Sequence, residues 1–152
     1  MNDWSTTNPH AIVALHAPMQ HHDLTEKIIG AAFRVYNRLG FGFLESVYEK
    51  AMLFELRRSG LQVESQFPIT VYYEDHVVGE FTADLLVEHV VIVELKSIQG
   101  LARVHEAQTV NYLTATKTPV GLLINFGPKS VEVRRKVQIL PQNNPVNPVN
   151  PV

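Results

Sequence analysis

Residues 80–96 read EFTADLLVEHVVIVELK, and this stretch decides the fold. Phe81, Ala83, Leu85 and Val87 alternate with Thr82, Asp84 and Leu86, the two-residue period of a strand. After Glu88-His89-Val90 the pattern resumes, with Val91, Val93 and Leu95 alternating against Ile92, Glu94 and Lys96. Two strands joined by so short a turn form an antiparallel hairpin. If the two apolar sets share one buried face, the register follows, because a one-residue slip would turn every apolar side chain of one strand outward. Asp84 then lies directly opposite Glu94, with Lys96 two residues along the same face.

Outward from the hairpin, the N-terminal side is helical. Asp23-Leu24-Thr25-Glu26 has the form of an N-cap with a glutamate three residues on. Ile28, Ile29, Ala32, Val35 and Tyr36 follow at helical spacing up to Leu39, before Gly40. Val47, Tyr48, Ala51, Met52, Phe54 and Leu56 predict a second helix from near Leu44 to Gly60. Two short strands are expected at 61–63 and 69–73, with a turn at Glu74-Asp75-His76. Beyond the hairpin, a third helix is expected from near Val104, then strands at 121–126 and 131–139. This order predicts an α/β (α+β) fold, a mixed central β-sheet flanked by α-helices. Any parallel pairing across the third helix would be a right-handed crossover.

The chain has 152 residues and 45% apolar content, enough for one packed core and too little for two ordinary domains. Cysteine is absent, which excludes disulfides, thiolate metal sites and a cysteine nucleophile, so any metal would need carboxylate or imidazole ligands. No run approaches the ~20 apolar residues of a membrane span, and the N-terminus does not read as a signal peptide. A cytoplasmic protein without a membrane partner is expected. Residues 1–20 read as an N-terminal arm, 21–140 as the domain, and 141–152, with its repeated Asn-Pro-Val, as a disordered tail. The formal charge of -2 does not advertise a nucleic-acid binder, although Arg34, Arg38, Arg57, Arg58, Arg103 and Arg134-Arg135-Lys136 can form local basic patches.

Opposed carboxylates on a covered sheet face repel one another, and a bridging cation would relieve that repulsion. Hard divalent ions such as magnesium or manganese take oxygen ligands and suit phosphate substrates. A neighbouring lysine can hold a scissile phosphate or orient and deprotonate a water. The pattern Asp84, Glu94, Lys96 is therefore compatible with a phosphodiesterase site. Read alone, the pattern is weak and more often means a Glu94–Lys96 ion pair and an Asp84 facing water. In Gly42-Phe43-Leu44-Glu45-Ser46-Val47-Tyr48, Glu45 and Tyr48 share a helical face after a glycine-punctuated loop. Glu45 can supply a third acidic ligand or simply favour the helix dipole, and Tyr48 can face a substrate or the core. His105, Gln108 and Tyr112 form one stripe on the third helix, able to bond a phosphate or stack a base, or to be core and solvated surface.

Taken in order, G-F-L-E-S-V-Y, A-D-L-L-V-E, V-I-V-E-L-K, H-E-A-Q-T-V-N-Y-L and G-L-L-I-N-F-G resemble the successive motifs of the GxxExxY family, over roughly residues 23–139. That family is assigned to the PD-(D/E)XK superfamily, so the resemblance implies a restriction-endonuclease-like core. It further implies a metal-dependent nuclease acting on nucleic acid, with DNA the expected partner and magnesium or manganese the expected cofactor. Asp84, Glu94 and Lys96 match the catalytic acids and lysine, with Glu45, Asp84 and Glu94 as metal ligands. Tyr48, His105, Gln108 and Tyr112 would bind substrate, Gln108 and Tyr112 matching the Q-x-x-x-Y element of exonuclease-like members. Ala83 stands where the superfamily's eponymous proline would be. The alternative is a catalytically weak or inactive nucleic-acid or protein interaction module on the same fold, and a homo-oligomer is left open.

Overall fold

The structure, a computed structural model, describes residues 21–138. The expected arm at 1–20 and tail at 141–152 lie outside these residues. In chain order the elements are α1 (His22–Leu39), α2 (Glu45–Arg58), β1 (Val63–Tyr73), β2 (His76–Val87), β3 (Val91–Lys96), α3 (Arg103–Thr116), β4 (Val120–Phe126) and β5 (Val131–Val137). The strands form one sheet in the order β1-β2-β3-β4-β5. Neighbours are antiparallel except β3 and β4, which α3 connects as a parallel pair. This is the mixed sheet with flanking helices that the sequence predicts.

α1 and α2 cover one face. Ile28, Ala31, Ala32 and Val35 of α1 and Tyr48, Met52 and Leu56 of α2 pack on Leu85, Val87, Val91, Val93, Leu95, Leu122 and Ile124. α3 covers the other face, where Tyr112 and Leu113 meet Ile69, Ala83, Leu86 and Ile92. Ion pairs tie the helices at their rims: Arg34 Nε lies 3.1 Å from Glu55 Oε2, joining α1 to α2, and Lys136 Nζ lies 2.6 Å from Glu106 Oε1, joining β5 to α3. The Tyr36 hydroxyl donates to the Gly127 carbonyl at 2.7 Å, pinning α1 to the β4–β5 turn.

Three sequence expectations are corrected. The two short strands at 61–63 and 69–73 are a single strand, β1, that passes through Gln66 at φ 53 and through Pro68. Pro68 is tolerated because β1 lies at the sheet edge. The helix-1 cap falls at His21 with no side-chain hydrogen bond, and Asp23 sits in the first turn, where the helix dipole favours a carboxylate. Finally, Phe81, Ala83, Leu85 and Val87 do not share a face. Leu85 and Val87 pack beneath α1 and α2, whereas Ala83 packs beneath α3 and Phe81 lies against Tyr112. The alternation changes sides at Asp84.

Gly121 shows how closely α3 sits on the sheet. A Cβ there would meet Thr109 Cγ2 at 2.9 Å and Leu113 methyls at 3.2 and 3.3 Å. Thr109 has little freedom to yield, since its hydroxyl donates to the His105 carbonyl. Gly121→Ala is expected to destabilise the protein by roughly 1–3 kcal/mol, as overpacking of a filled core does. Urea denaturation of the purified variant measures this.

Candidate active site

The sheet is regular up to Leu85↔Val93 and then opens. The β2–β3 ladder runs through Val87↔Val91, Leu86↔Ile92 and Leu85↔Val93, the register expected from the sequence. On the other side of β2, the β1 ladder passes from Ser65↔Leu85 to Phe67↔Ala83 and skips the Gln66/Asp84 pair. Asp84 is therefore released from ladder pairing towards both neighbours. The polar groups of the opening are satisfied by the acids themselves. The Asp84 amide donates to Glu94 Oε1 at 3.1 Å, and the Leu95 amide donates to Asp84 Oδ2 at 2.7 Å. Each carboxylate thus takes a backbone donor in place of a strand carbonyl, which draws Asp84 and Glu94 into one cleft.

Burial makes this pair electrostatically uncomfortable. Glu94 is 6% exposed. Its pKa is pushed up to about 8, first by burial and then by repulsion from Asp84. Asp84 is pushed up to about 6, again chiefly by burial; Glu49 and Glu45 add repulsion, while the Leu95 amide and Lys96 pull the other way. Lys96 stabilises both anions at a distance, yet among the described residues it forms no ion pair with either acid. The partly exposed Lys96 side chain is left available for another anion.

Glu45 is exposed in the first turn of α2, and its charge reaches both acids. Behind it, Glu49 is held by Gln66, whose Nε2 lies 2.9 Å from both carboxylate oxygens. The left-handed Gln66 that breaks the β1 ladder thereby also fixes an acid beside Asp84. Neither Glu49 nor Gln66 was singled out from the sequence, although Glu49 falls one helical turn after Glu45; Gln66 carries no periodic signal.

The remaining sequence candidates fall in different settings. Tyr48 is fully buried, its ring stacked on Phe126 at 4.3 Å and its hydroxyl donating to the Gly40 carbonyl. A strand has no access to that ring; Tyr48 instead holds the loop between α1 and α2. Phe43 of that loop accepts a 2.8 Å hydrogen bond from the Ser97 hydroxyl, one residue past Lys96. His105 Nδ1 accepts the Ala102 amide at 2.9 Å, capping α3. Gln108 Nε2 donates to the Tyr112 hydroxyl at 3.0 Å, and Tyr112 is 7% exposed. The Tyr112 hydroxyl is pushed upward by burial and then by the nearby Glu94 charge, which places it at the edge of the acid cleft.

A profile of the PD-(D/E)XK nuclease superfamily matches residues 22–136. The chain belongs to that superfamily. PD-(D/E)XK nucleases typically use divalent metals and act on nucleic acid. No curated protein matches the sequence. The crystal structure of SSO0001 is similar in fold, with a TM-score of 0.51 at 14% identity, the match covering 82% of this chain and 62% of that one. Among the described residues of this PD-(D/E)XK chain, no three acids or histidines converge closely enough to enclose a metal ion, and no helix is long and apolar enough to cross a membrane. The donor set nevertheless fits a hard divalent ion. Magnesium keeps several waters and takes only one or two protein carboxylates alongside substrate phosphate, and Asp84, partly buried, and Glu94, buried, are two adjacent carboxylates with no ion-pair partner among the described residues.

One residue beside Lys96 carried no role in the sequence reading. Asn125, fully buried on β4, is the register partner of Lys96. Its Oδ1 accepts the Ile98 amide at 2.9 Å, and its Nδ2 donates to the Ile98 carbonyl and to Glu132 Oε1, each at 3.0 Å. This amide extends the sheet by one side-chain pair and fixes the chain just after Lys96. A lone asparagine inside an apolar run was the available signal, since a buried amide must be bonded. Asn125→Ala is expected to cost roughly 1–3 kcal/mol in chemical denaturation, the penalty of stranding buried partners, and to lower turnover by loosening Lys96.

Proposed function

We propose that the chain is a magnesium- or manganese-dependent nuclease that hydrolyses phosphodiester bonds in DNA, and that its ordered motifs place it with the GxxExxY family. The observation that carries this reading is the pair of a partly buried Asp84 and a buried Glu94, drawn together and repelling where the sheet opens, beside a lysine that pairs with neither. Asp84 and Glu94 are the residues that would hold the metal, with Glu45 adding negative potential to the cleft mouth. A bound divalent ion would supply Lewis-acid polarisation of the phosphate and a lowered pKa for water.

The chain's own groups do the rest. The Asp84 and Leu95 amides orient the two carboxylates before anything binds, so their positions are not reorganised during reaction. Lys96 Nζ carries its positive charge towards a non-bridging phosphate oxygen and hydrogen-bonds the attacking water. Ser97, through its own hydroxyl, and Asn125, through Ile98, hold the backbone that leaves β3 just after that lysine. Tyr48 holds the α1–α2 loop that carries Glu45 into place.

The second reading, an interaction module with little or no turnover, is favoured by the formal charge of -2. One assay separates the two. Purified protein is incubated with labelled single-stranded, duplex and branched DNA in magnesium, manganese or chelator. Metal-dependent cleavage that chelator stops is the expected result; intact substrate across the whole panel would leave the interaction module.

A further inference from the structure

We propose that the groove between α3 and the β1–β2 hairpin receives unstacked nucleobases, which makes the substrate of the neighbouring acid cleft a single strand rather than a duplex. The proposal rests on the nuclease reading above for the identity of that cleft.

The groove is open and measures about 800 Å³, within the size range of ligand sites. Tyr72 and Phe81 of the hairpin form one wall, and Val104, Gln108 and Tyr112 of α3 the other. None of its lining residues is Asp, Glu, Lys or Arg. Phosphate therefore finds no charged partner there, and an uncharged, flat, partly polar group fits the chemistry. Phe81 and Tyr72 supply aromatic planes, 46% and 64% exposed. The Phe81 ring is tilted 40° against Tyr112 at 5.8 Å. It also rests on Gly79, where a Cβ would meet ring atoms at 2.7 and 3.2 Å, so the bare backbone is what lets the ring lie there.

The rim offers edge recognition. With Gln108 Nε2 bonded to Tyr112, its Oε1 remains as an acceptor, and Asn111 is exposed one position from Tyr112. The groove adjoins the acid pair through Tyr112, which lines it, packs in one cluster with Ala83, the residue before Asp84, and feels the charges of Glu94 and Asp84. A strand with its phosphate beside Lys96 would thus present a neighbouring base to Phe81. A base held in a duplex stack has neither face free for that ring. Stacking also suits a protein with a formal charge of -2, which lacks the basic excess that drives duplex binding through phosphates.

The test measures anisotropy of fluorescein-labelled oligothymidylate and of a hairpin duplex of equal length with the full chain in chelator, so that binding is read without turnover. Single strand is expected to bind more tightly than duplex. Phe81→Leu, which keeps apolar bulk but removes the stacking plane, should weaken single-strand binding by about tenfold, and Phe81→Trp should restore it. Gly79→Ala, outside the groove lining, should weaken it by displacing the ring. Thermal melts of each variant verify the fold. Equal or tighter duplex binding, or unchanged single-strand binding in Phe81→Leu, overturns the proposal, as would a groove that takes an apolar peptide in competition-free binding but no oligonucleotide. Failure of the nuclease reading looks different: tight, Phe81-dependent strand binding with no cleavage in any metal.

Discussion

Lys96→Ala is expected to retain metal and DNA binding while losing most turnover, by about 10²–10³-fold in kcat, the scale on which one charge-stabilising donor acts. Lys96 makes no ion pair with Asp84 or Glu94, so its removal strands no partner and the fold should survive. Its charge does lower the proton affinity of both acids. The variant's pH profile should therefore shift upward as well as fall, because the carboxylates become harder to ionise. A defect in kcat with near-normal KM would mark an interaction made in the transition state rather than in binding. Single-turnover kinetics in manganese provide the measurement. Unchanged cleavage by Lys96→Ala would assign the activity to another nuclease in the preparation.

Glu94→Gln should abolish cleavage and at the same time raise the thermal stability of the metal-free protein at pH 8. Both acids have folded pKa values above the ordinary range near 4, Asp84 at about 6 and Glu94 at about 8. The native state then binds more protons than the unfolded state between pH ~4 and those values, so stability falls as pH rises through this window. The contribution is fully present below pH ~4 and is lost as pH passes about 6 for Asp84 and about 8 for Glu94. Glutamine keeps an oxygen to accept the Asp84 amide but carries no charge to repel. Manganese or magnesium should raise the wild-type melting temperature most at pH 8, because it binds only the folded carboxylates. Glu94→Gln and Asp84→Asn should lose that response. Melting curves from pH 5 to 9, with metal or chelator, test both halves. A metal-free wild-type curve that is flat with pH would remove the premise of a repelling, desolvated acid pair.

Much of this architecture was legible in the sequence because burial has a period. Tyr48, Met52 and Leu56, four residues apart, mark the buried stripe of α2. The register of the β2–β3 hairpin followed from alternation together with the short turn at Glu88-His89-Val90. The same logic failed where the sheet departs from alternation. Ala83 and Leu85 look equivalent by period, yet they pack on opposite faces because the skipped Gln66/Asp84 pair lets the strand turn. Leu86 and Ile92 are buried too, since α3 closes the second face, and pattern within one strand does not report a helix that arrives later in the chain. Asn125 and the Glu49–Gln66 contact were hidden for a related reason. Each depends on partners remote in sequence, 27 residues away for Ile98 and 17 for Gln66, that only the assembled fold brings near.

Among the described residues, the linear strand order leaves two margins of the sheet without a partner strand, β1 and β5. Exposed backbone of that kind invites another chain to add on and begin aggregation. β1 meets the hazard with Pro68, which offers no donor, with the left-handed kink at Gln66, and with a shift of register near Val71/Tyr72. β5 meets it with three consecutive cations, Arg134-Arg135-Lys136, whose repetition on a second copy would set like charges against one another. Runaway stacking of copies edge to edge is thereby discouraged at both ends.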